Sequence, residues 1–270
     1  MLKGEKQIGL VAGRGYLPFD ALQEMRNQGI EPVVIGLAGE VDPGLKNQVK
    51  IYKELAPGQM GAIIAELKSY SVTELVFEGK IGKEALFKGG FDQTVQRLLS
   101  TLPQKNDDAV LLAIVNEIEN NGIKVLKQTE FLRKHLPAAG PITGELTLAE
   151  LADVQFGFKM AKASGGLDFG QSVVVKQGMV LAVEAIEGTD QAILRGGTLG
   201  GPGTVVVKVS KPNQDERFDV PTVGRRTIES MIGAKAAVLA IEAGKTLITE
   251  QTEFNRLALE NGIKVIAVEG

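Results

Sequence analysis

No cysteine occurs in the 270 residues, and histidine occurs once, as His135. The first absence excludes a disulfide, a cysteine-ligated zinc or iron–sulfur centre and a thiolate nucleophile. The second excludes a histidine-rich metal site and would force any Ser-His-Asp triad to use His135. That residue lies beside Arg133 and Lys134 with no partner in sequence, and reads as structural or exposed. An excess of positive charge is missing too. Lys+Arg 30 against Asp+Glu 33 leave a formal charge of −3, so general nucleic-acid binding is not expected. Apolar runs such as Ala236–Ile241 are about six residues, far below the roughly 18–20 that span a bilayer. The polar amino terminus resembles no secretory signal, so the expected compartment is the cytoplasm, with surface contact to a membrane left open. Chemistry must then come from carboxylates, Lys and Arg, hydroxyls, backbone amides and a hard cation.

What is present is a recurring joint. Asn27-Gln28-Gly29-Ile30, Asn121-Gly122-Ile123 and Asn261-Gly262-Ile263 each follow a helix-like stretch and precede a β-branched run. Glycine supplies the left-handed residue that stops a helix, and Val/Ile runs suit buried strands, so these are the joints of an α/β fold. Gln7–Ala12 reads as a strand, Gly13-Arg14-Gly15 as a tight turn and Pro18–Gln28 as a helix. Further helices are expected over 58–69, 83–102 and 107–120, with a strand over 74–77. This is a Rossmann-like N-terminal domain, 1–136. Residues 137–142, with two prolines and a glycine, read as a linker. The remainder, 143–270, reads as a mixed α+β domain: a helix over 148–163, a hairpin of 172–176 and 179–185, strands over 204–210, 236–241, 245–249 and 263–268, and helices over 222–232 and 251–261. Gly196–Gly203, with five glycines in eight residues, is expected as an irregular loop, either a mobile lid or a connector.

Several clusters could carry chemistry. The turn at Gly13 and Gly15 follows a strand and opens a helix, where amides and the helix dipole hold phosphate; a purely structural turn is the alternative. It is not a full G-x-G-x-x-G, and Ile35-Gly36-Leu37 stands where a nicotinamide site needs an acid. Glu78-Gly79-Lys80 closes a strand, where Lys80 could reach a phosphate or be a solvated surface lysine. Asn106-Asp107-Asp108 opens a helix as a cap, or Asp108 turns a carboxylate to Mg²⁺. Glu184 to Asp190 gathers carboxylates and a hydroxyl at a sheet edge, as a helix cap or as a sugar or metal site. Lys211 to Gly224 mixes both charge signs with two prolines, a rigid loop in which Asp219 is the best catalytic or metal-binding carboxylate.

Taken together these segments resemble the LpxI-type UDP-2,3-diacylglucosamine pyrophosphatases of lipid A biosynthesis in Gram-negative bacteria. The resemblance is carried by Gly9-Leu-Val-Ala-Gly13-x-Gly15-x-Leu-Pro18, Gly79-Lys80, Asp107-Asp108-Ala-x-Leu, Asp168-Phe-Gly170-Gln171 and Glu184-Ala-Ile-Glu187-Gly188-Thr189-Asp190. It continues through Lys211-Pro212-x-Gln214-Asp215-x-Arg217-x-Asp219-x-Pro221-Thr222-x-Gly224. It implies a Mg²⁺-dependent hydrolase, with Mn²⁺ as the alternative cation, that splits the diphosphate of a lipid-linked UDP-sugar, with transient contact at the inner face of the inner membrane. The family's activity depends on the aspartate that falls on Asp219. On that footing Asp219, with Asp215, Glu187 or Asp108, holds the metal, and Lys80, Lys211 and Arg217 face diphosphate oxygens. Gly13, Gly15, Gly79, Gln171, Gly188, Thr189, Thr222 and Gly224 are the expected substrate contacts. Two other functions compete, a non-catalytic sugar-nucleotide sensor and a soluble nucleotide-sugar pyrophosphatase. A nicotinamide oxidoreductase would rest on the first glycine turn alone.

Overall fold

The computed structural model describes residues 7–81, 90–103 and 107–270, without the side chains of 107 and 108. It divides into two compact units, Met1–Leu132 with Glu216–Phe218, and Arg133–Asp215 with Asp219–Gly270.

In the first unit five strands, β1 (Gln7–Ala12), β2 (Val33–Leu37), β3 (Ile51–Leu55), β4 (Val72–Glu78) and β5 (Lys124–Val125), stand all parallel in the order β3-β2-β1-β4-β5. That is the Rossmann-like order expected, with its switch point between β1 and β4. The central strands β1 and β2 read as nearly unbroken apolar runs because both their faces are covered. Period-two alternation sends Val11, Ile35 and Leu75 into a core shared with α2 (Met60–Ser69), α3 (Gln93–Thr101) and α4 (Asp107–Asn120). Helix α1 (Leu17–Asn27) packs against β1 and β4 and buries Ala21, Leu22 and Met25. The helix expected over 83–102, whose part before residue 90 lies outside the described residues, is not continuous: residues 90–92 are not helical, Gly90 having φ 75°, and α3 starts after its N-cap Asp92, which accepts from the Val95 amide at 2.9 Å. The three joint glycines, Gly29, Gly122 and Gly262, have φ of 77°, 84° and 64°, the left-handed stops that their position requires.

The second unit is a six-stranded mixed sheet, β6-β13-β11-β9-β7-β8. Its centre, β9 (Val205–Lys208), β11 (Val238–Glu242) and β13 (Lys264–Val268), is parallel. β7 (Ser172–Lys176) and β8 (Met179–Val183) form the expected hairpin, antiparallel on one side, and β6 (Gly140–Thr143) is antiparallel on the other. Helix α5 (Leu148–Gly166), started by a Thr147/Glu150 capping box, covers one face over Val173, Val175, Val205 and Val207. Helices α6 (Thr189–Gly200), α7 (Arg225–Ala234) and α8 (Gln251–Glu260) cover the other over Val174, Val206, Leu239 and Val265.

Four expectations are corrected here. Residues 140–142 of the expected linker belong to strand β6, which tolerates Pro141 because it is an edge strand. The helix expected over 222–232 begins at Arg225, after Thr222–Val223 pairs as β10 with β12, Leu247–Ile248. That pairing is also all that forms of the strand expected over 245–249. Gly196–Gly200 is the last part of α6, so no lid exists there. Its glycines serve close packing: a Cβ on Gly196 would stand 2.5 Å from the Val174 Cβ, and one on Gly197 would stand 2.6 Å from the Ala234 carbonyl oxygen. Gly196→Ala is therefore expected to lower stability by about 1–3 kcal/mol, although alanine is the better helix former by about 1 kcal/mol. A thermal melt no lower than wild type would contradict this packing.

Candidate functional site

Ligands of open α/β sheets bind beyond the carboxyl ends of the strands. In the first unit that edge is closed by backbone. The Gly13 amide donates to the Glu78 carbonyl at 2.8 Å, and Arg14 and Lys80 exchange backbone hydrogen bonds of 2.8 and 2.9 Å. A Cβ on Gly13 would lie 2.5 Å from the Lys80 carbonyl oxygen. Gly13 is thus required by the approach of the Gly79-Lys80 loop, and its amide is committed within the protein rather than offered to a phosphate. Gly15, with φ 99°, stays exposed at the turn, and the Lys80 side chain is exposed beside it. The Arg14 guanidinium is held by Glu40 at 2.7 Å.

Beneath this clasp lies Glu78, to whose side chain the sequence assigned no role. The Glu78 carboxyl is 2% exposed, and neither oxygen has a hydrogen-bond partner among the described residues. Burial, and secondarily the charge of Asp20 in the first turn of α1, pushes its pKa well above the usual carboxylate range.

The second unit gathers more of the expected residues. At the carboxyl end of β9, the Lys208 ammonium donates to the Thr189 hydroxyl at 3.1 Å and to the Thr222 carbonyl at 3.0 Å. Thr189, the first residue of α6, donates in turn to Glu184 Oε1 at 2.8 Å. Ser172, opposite Lys208 across the β7–β9 ladder, places its hydroxyl 3.4 Å from that of Thr189. The structure therefore brings Thr189 and Thr222 together through Lys208, which is 8% exposed and which no local motif marks. Gln171 lies one residue before Ser172, and its Oε1 is buried with no hydrogen-bond partner among the described residues. Gly188, with φ 82°, caps α6, and Gly224 caps α7.

Lys211 bonds Asp168 Oδ1 at 2.7 Å, with Asp168 itself at φ 62°. Arg217 belongs to the first unit, where it pairs with Glu119 at 3.0 Å, whereas Asp215 and Asp219 belong to the second. Asp219 is exposed between buried Phe218 and Val220, with φ 57°. Aspartate enters that region more readily than most residues, and Ser71, Asp168, Gln177, Lys235 and Glu250 share it. Glu187 is paired with Arg195 at 2.5 Å; its own backbone amide and Arg195 hold its pKa below the usual range. Its second oxygen accepts from the Ala185 amide at 3.2 Å. The side chain of Asp108 lies outside the described residues, as does Asn106. His135 places Nδ1 3.1 Å from the Ile248 carbonyl, in keeping with a structural role.

Among the described residues no three His, Asp or Glu side chains gather as a metal cage. Mg²⁺ does not need one, because one or two carboxylates plus phosphate oxygens of a substrate commonly complete its shell. Asp219 and Asp215 have the hard oxygen donors for that arrangement. Among the described residues no helix is long and apolar enough to cross a membrane.

Fold and site together define a two-unit α/β protein whose second sheet carries a polar, lysine-bearing edge. The LpxI N-terminal domain matches residues 7–135 and the LpxI C-terminal domain residues 138–266. The chain belongs to the LpxI family. It is 29% identical to the UDP-2,3-diacylglucosamine pyrophosphatase LpxI of Caulobacter vibrioides, over 98% of each chain. Among solved structures it is similar to a UDP-glucose-4-epimerase from Stenotrophomonas maltophila with bound NAD and formylated UDP-arabinopyranose. There the TM-score is 0.32 at 10% identity, covering 44% of this chain and 35% of that one. The Bordetella bronchiseptica enzyme WbmG, in complex with NAD and UDP, matches with a TM-score of 0.30 at 14% identity, covering 45% and 36%. At such TM-scores neither likeness carries an argument.

Proposed function

We propose that this protein hydrolyses the diphosphate of UDP-2,3-diacylglucosamine to UMP and 2,3-diacylglucosamine 1-phosphate, with Mg²⁺ or Mn²⁺, at the cytoplasmic face of the inner membrane in lipid A synthesis. The observation that carries this reading is the match of both LpxI domains along the chain, beside a full-length relative with that activity in its name. The chemistry of the residues agrees. Splitting a phosphoric anhydride needs a positioned water and neutralisation of developing charge, and it needs neither a cysteine nor a histidine. Asp219 would hold the cation, with Asp215, and orient the water. The cation, when bound, offsets the negative charge that grows on the diphosphate oxygens. Lys211, fixed by Asp168, supplies positive charge to the same anion, and Lys208 holds the Thr222 carbonyl in the Asp219-x-Pro-Thr loop. The exposed side chains of Leu167, Phe169 and Ile186, 68%, 52% and 88% accessible, give the second unit apolar surface for acyl chains beside this edge.

The test is UMP release from detergent-dispersed UDP-2,3-diacylglucosamine, with Mg²⁺ and with EDTA. Turnover that EDTA abolishes and added Mg²⁺ restores is expected. Tight binding of the UDP-sugar without UMP under any cation would point to a sensor instead. Equal turnover of an unacylated UDP-sugar would point to a soluble nucleotide-sugar pyrophosphatase.

A further inference from the structure

Glu184 uses one carboxylate oxygen and leaves the other unanswered. Oε1 accepts from the Thr189 hydroxyl at 2.8 Å, while Oε2 is shielded from solvent and has no hydrogen-bond partner among the described residues. The direction of the first bond is set by its neighbour. Thr189 Oγ1 accepts from the Lys208 ammonium, which has no acceptor capacity, so the hydroxyl proton goes to Glu184. The carboxylate is thereby held in one orientation, with Oε2 as the oxygen offered. A buried carboxylate oxygen without a donor is costly, and such atoms call for a specific partner. Among the groups of the substrate, one that carries an O–H or N–H suits this oxygen, because ionised phosphate oxygens have no proton to give and are repelled by the carboxylate.

Two parts of a UDP-diacylglucosamine carry such groups, the sugar and the uridine. The surroundings favour the sugar. The loop holding Phe169 abuts the Glu184 backbone, since a Cβ on Gly170 would lie 2.0 Å from the Glu184 carbonyl oxygen, and Ile186 follows two residues later. The exposed apolar side chains of Phe169 and Ile186 suit the acylated half of the substrate. We infer that Glu184 reads the glycosyl ring, its Oε2 accepting a hydrogen bond from a sugar hydroxyl or acylamide N–H, with Thr189 and Lys208 as its positioning residues. This assignment rests on the reading under Proposed function.

Glu184→Gln tests it, because an amide keeps an acceptor for Thr189 and puts a donor where Oε2 stood. Binding of 2,3-diacylglucosamine 1-phosphate and of UMP is measured on the full chain, along with KM and kcat for the UDP-sugar. Sugar-phosphate affinity is expected to fall about tenfold or more, with a matching rise in KM and UMP affinity unchanged. Glu184→Asp, which keeps the charge and shortens the reach, is expected to show the same selective loss, so the test does not depend on one variant folding. Equal losses for both ligands would reduce Glu184 to a structural role. Loss for UMP alone, or for neither ligand, would also overturn the inference. A wild type that neither turns over nor binds the sugar phosphate would bring down the proposed function itself, whereas a wild type that does both beside normal variants would bring down this inference alone.

Discussion

Asp219→Asn is expected to lower kcat for UMP release by a factor on the order of 10³ while leaving the thermal melt near that of wild type. The two effects separate because Asp219 combines a charged carboxylate with a backbone φ of 57°. Asparagine and aspartate both enter the left-handed region readily, so the amide keeps the loop and removes only the negative charge. Asp219→Ala removes the charge and also places a Cβ-bearing residue without a local polar group there, at a cost of about 1–2 kcal/mol. It should lose both activity and stability. The comparison matters because buried Phe218 and Val220 flank Asp219, so a loss in the alanine variant alone could reflect a displaced loop. Near-normal turnover by Asp219→Asn would remove Asp219 from the centre of the proposed chemistry.

Glu78→Gln is expected to stabilise the protein at neutral pH and to flatten the pH dependence of its stability. Burial, with the nearby charge of Asp20, keeps the Glu78 carboxyl protonated in the folded protein at pH values where the unfolded chain has released that proton. Between the unfolded pKa, at the ordinary carboxylate value of 4.5, and the raised folded pKa, the native state binds more protons than the unfolded state. Stability contributed by this group is therefore complete below the unfolded pKa and declines as pH rises, by about 1.4 kcal/mol per pH unit. Glutamine has the same shape and no proton to lose, so that slope disappears. Denaturant melts of both proteins from pH 5 to pH 8 would show the two curves diverging upward in pH; parallel curves would mean that Glu78 is ionised in the fold.

The elements were largely readable because their causes are local. Gly29, Gly122 and Gly262 end helices by adopting positive φ, and the Val/Ile runs behind them form β2, β5 and β13. Gly196–Gly203 misled for a physical reason. Glycine is locally a loop former, yet at Gly196 and Gly197 it answers to the packing of α6 on Val174 and Ala234, which composition does not reveal.

The expected site divides along the same line. Absence of cysteine and the single histidine left carboxylates, hydroxyls and amines as the groups available for chemistry, and the chain of polar motifs marked Thr189, Lys211, Asp219 and Thr222. Tertiary structure alone placed Lys208 between Thr189 and Thr222, held Glu184 with one oxygen unanswered, paired Glu187 with Arg195, and buried Glu78 beneath the Gly13 clasp. The residue types available, and the stops that delimit helices and strands, are properties of neighbouring positions along the chain. Which carboxylate is neutralised, buried or left open depends on groups that only the sheet register and helix packing bring within hydrogen-bond reach.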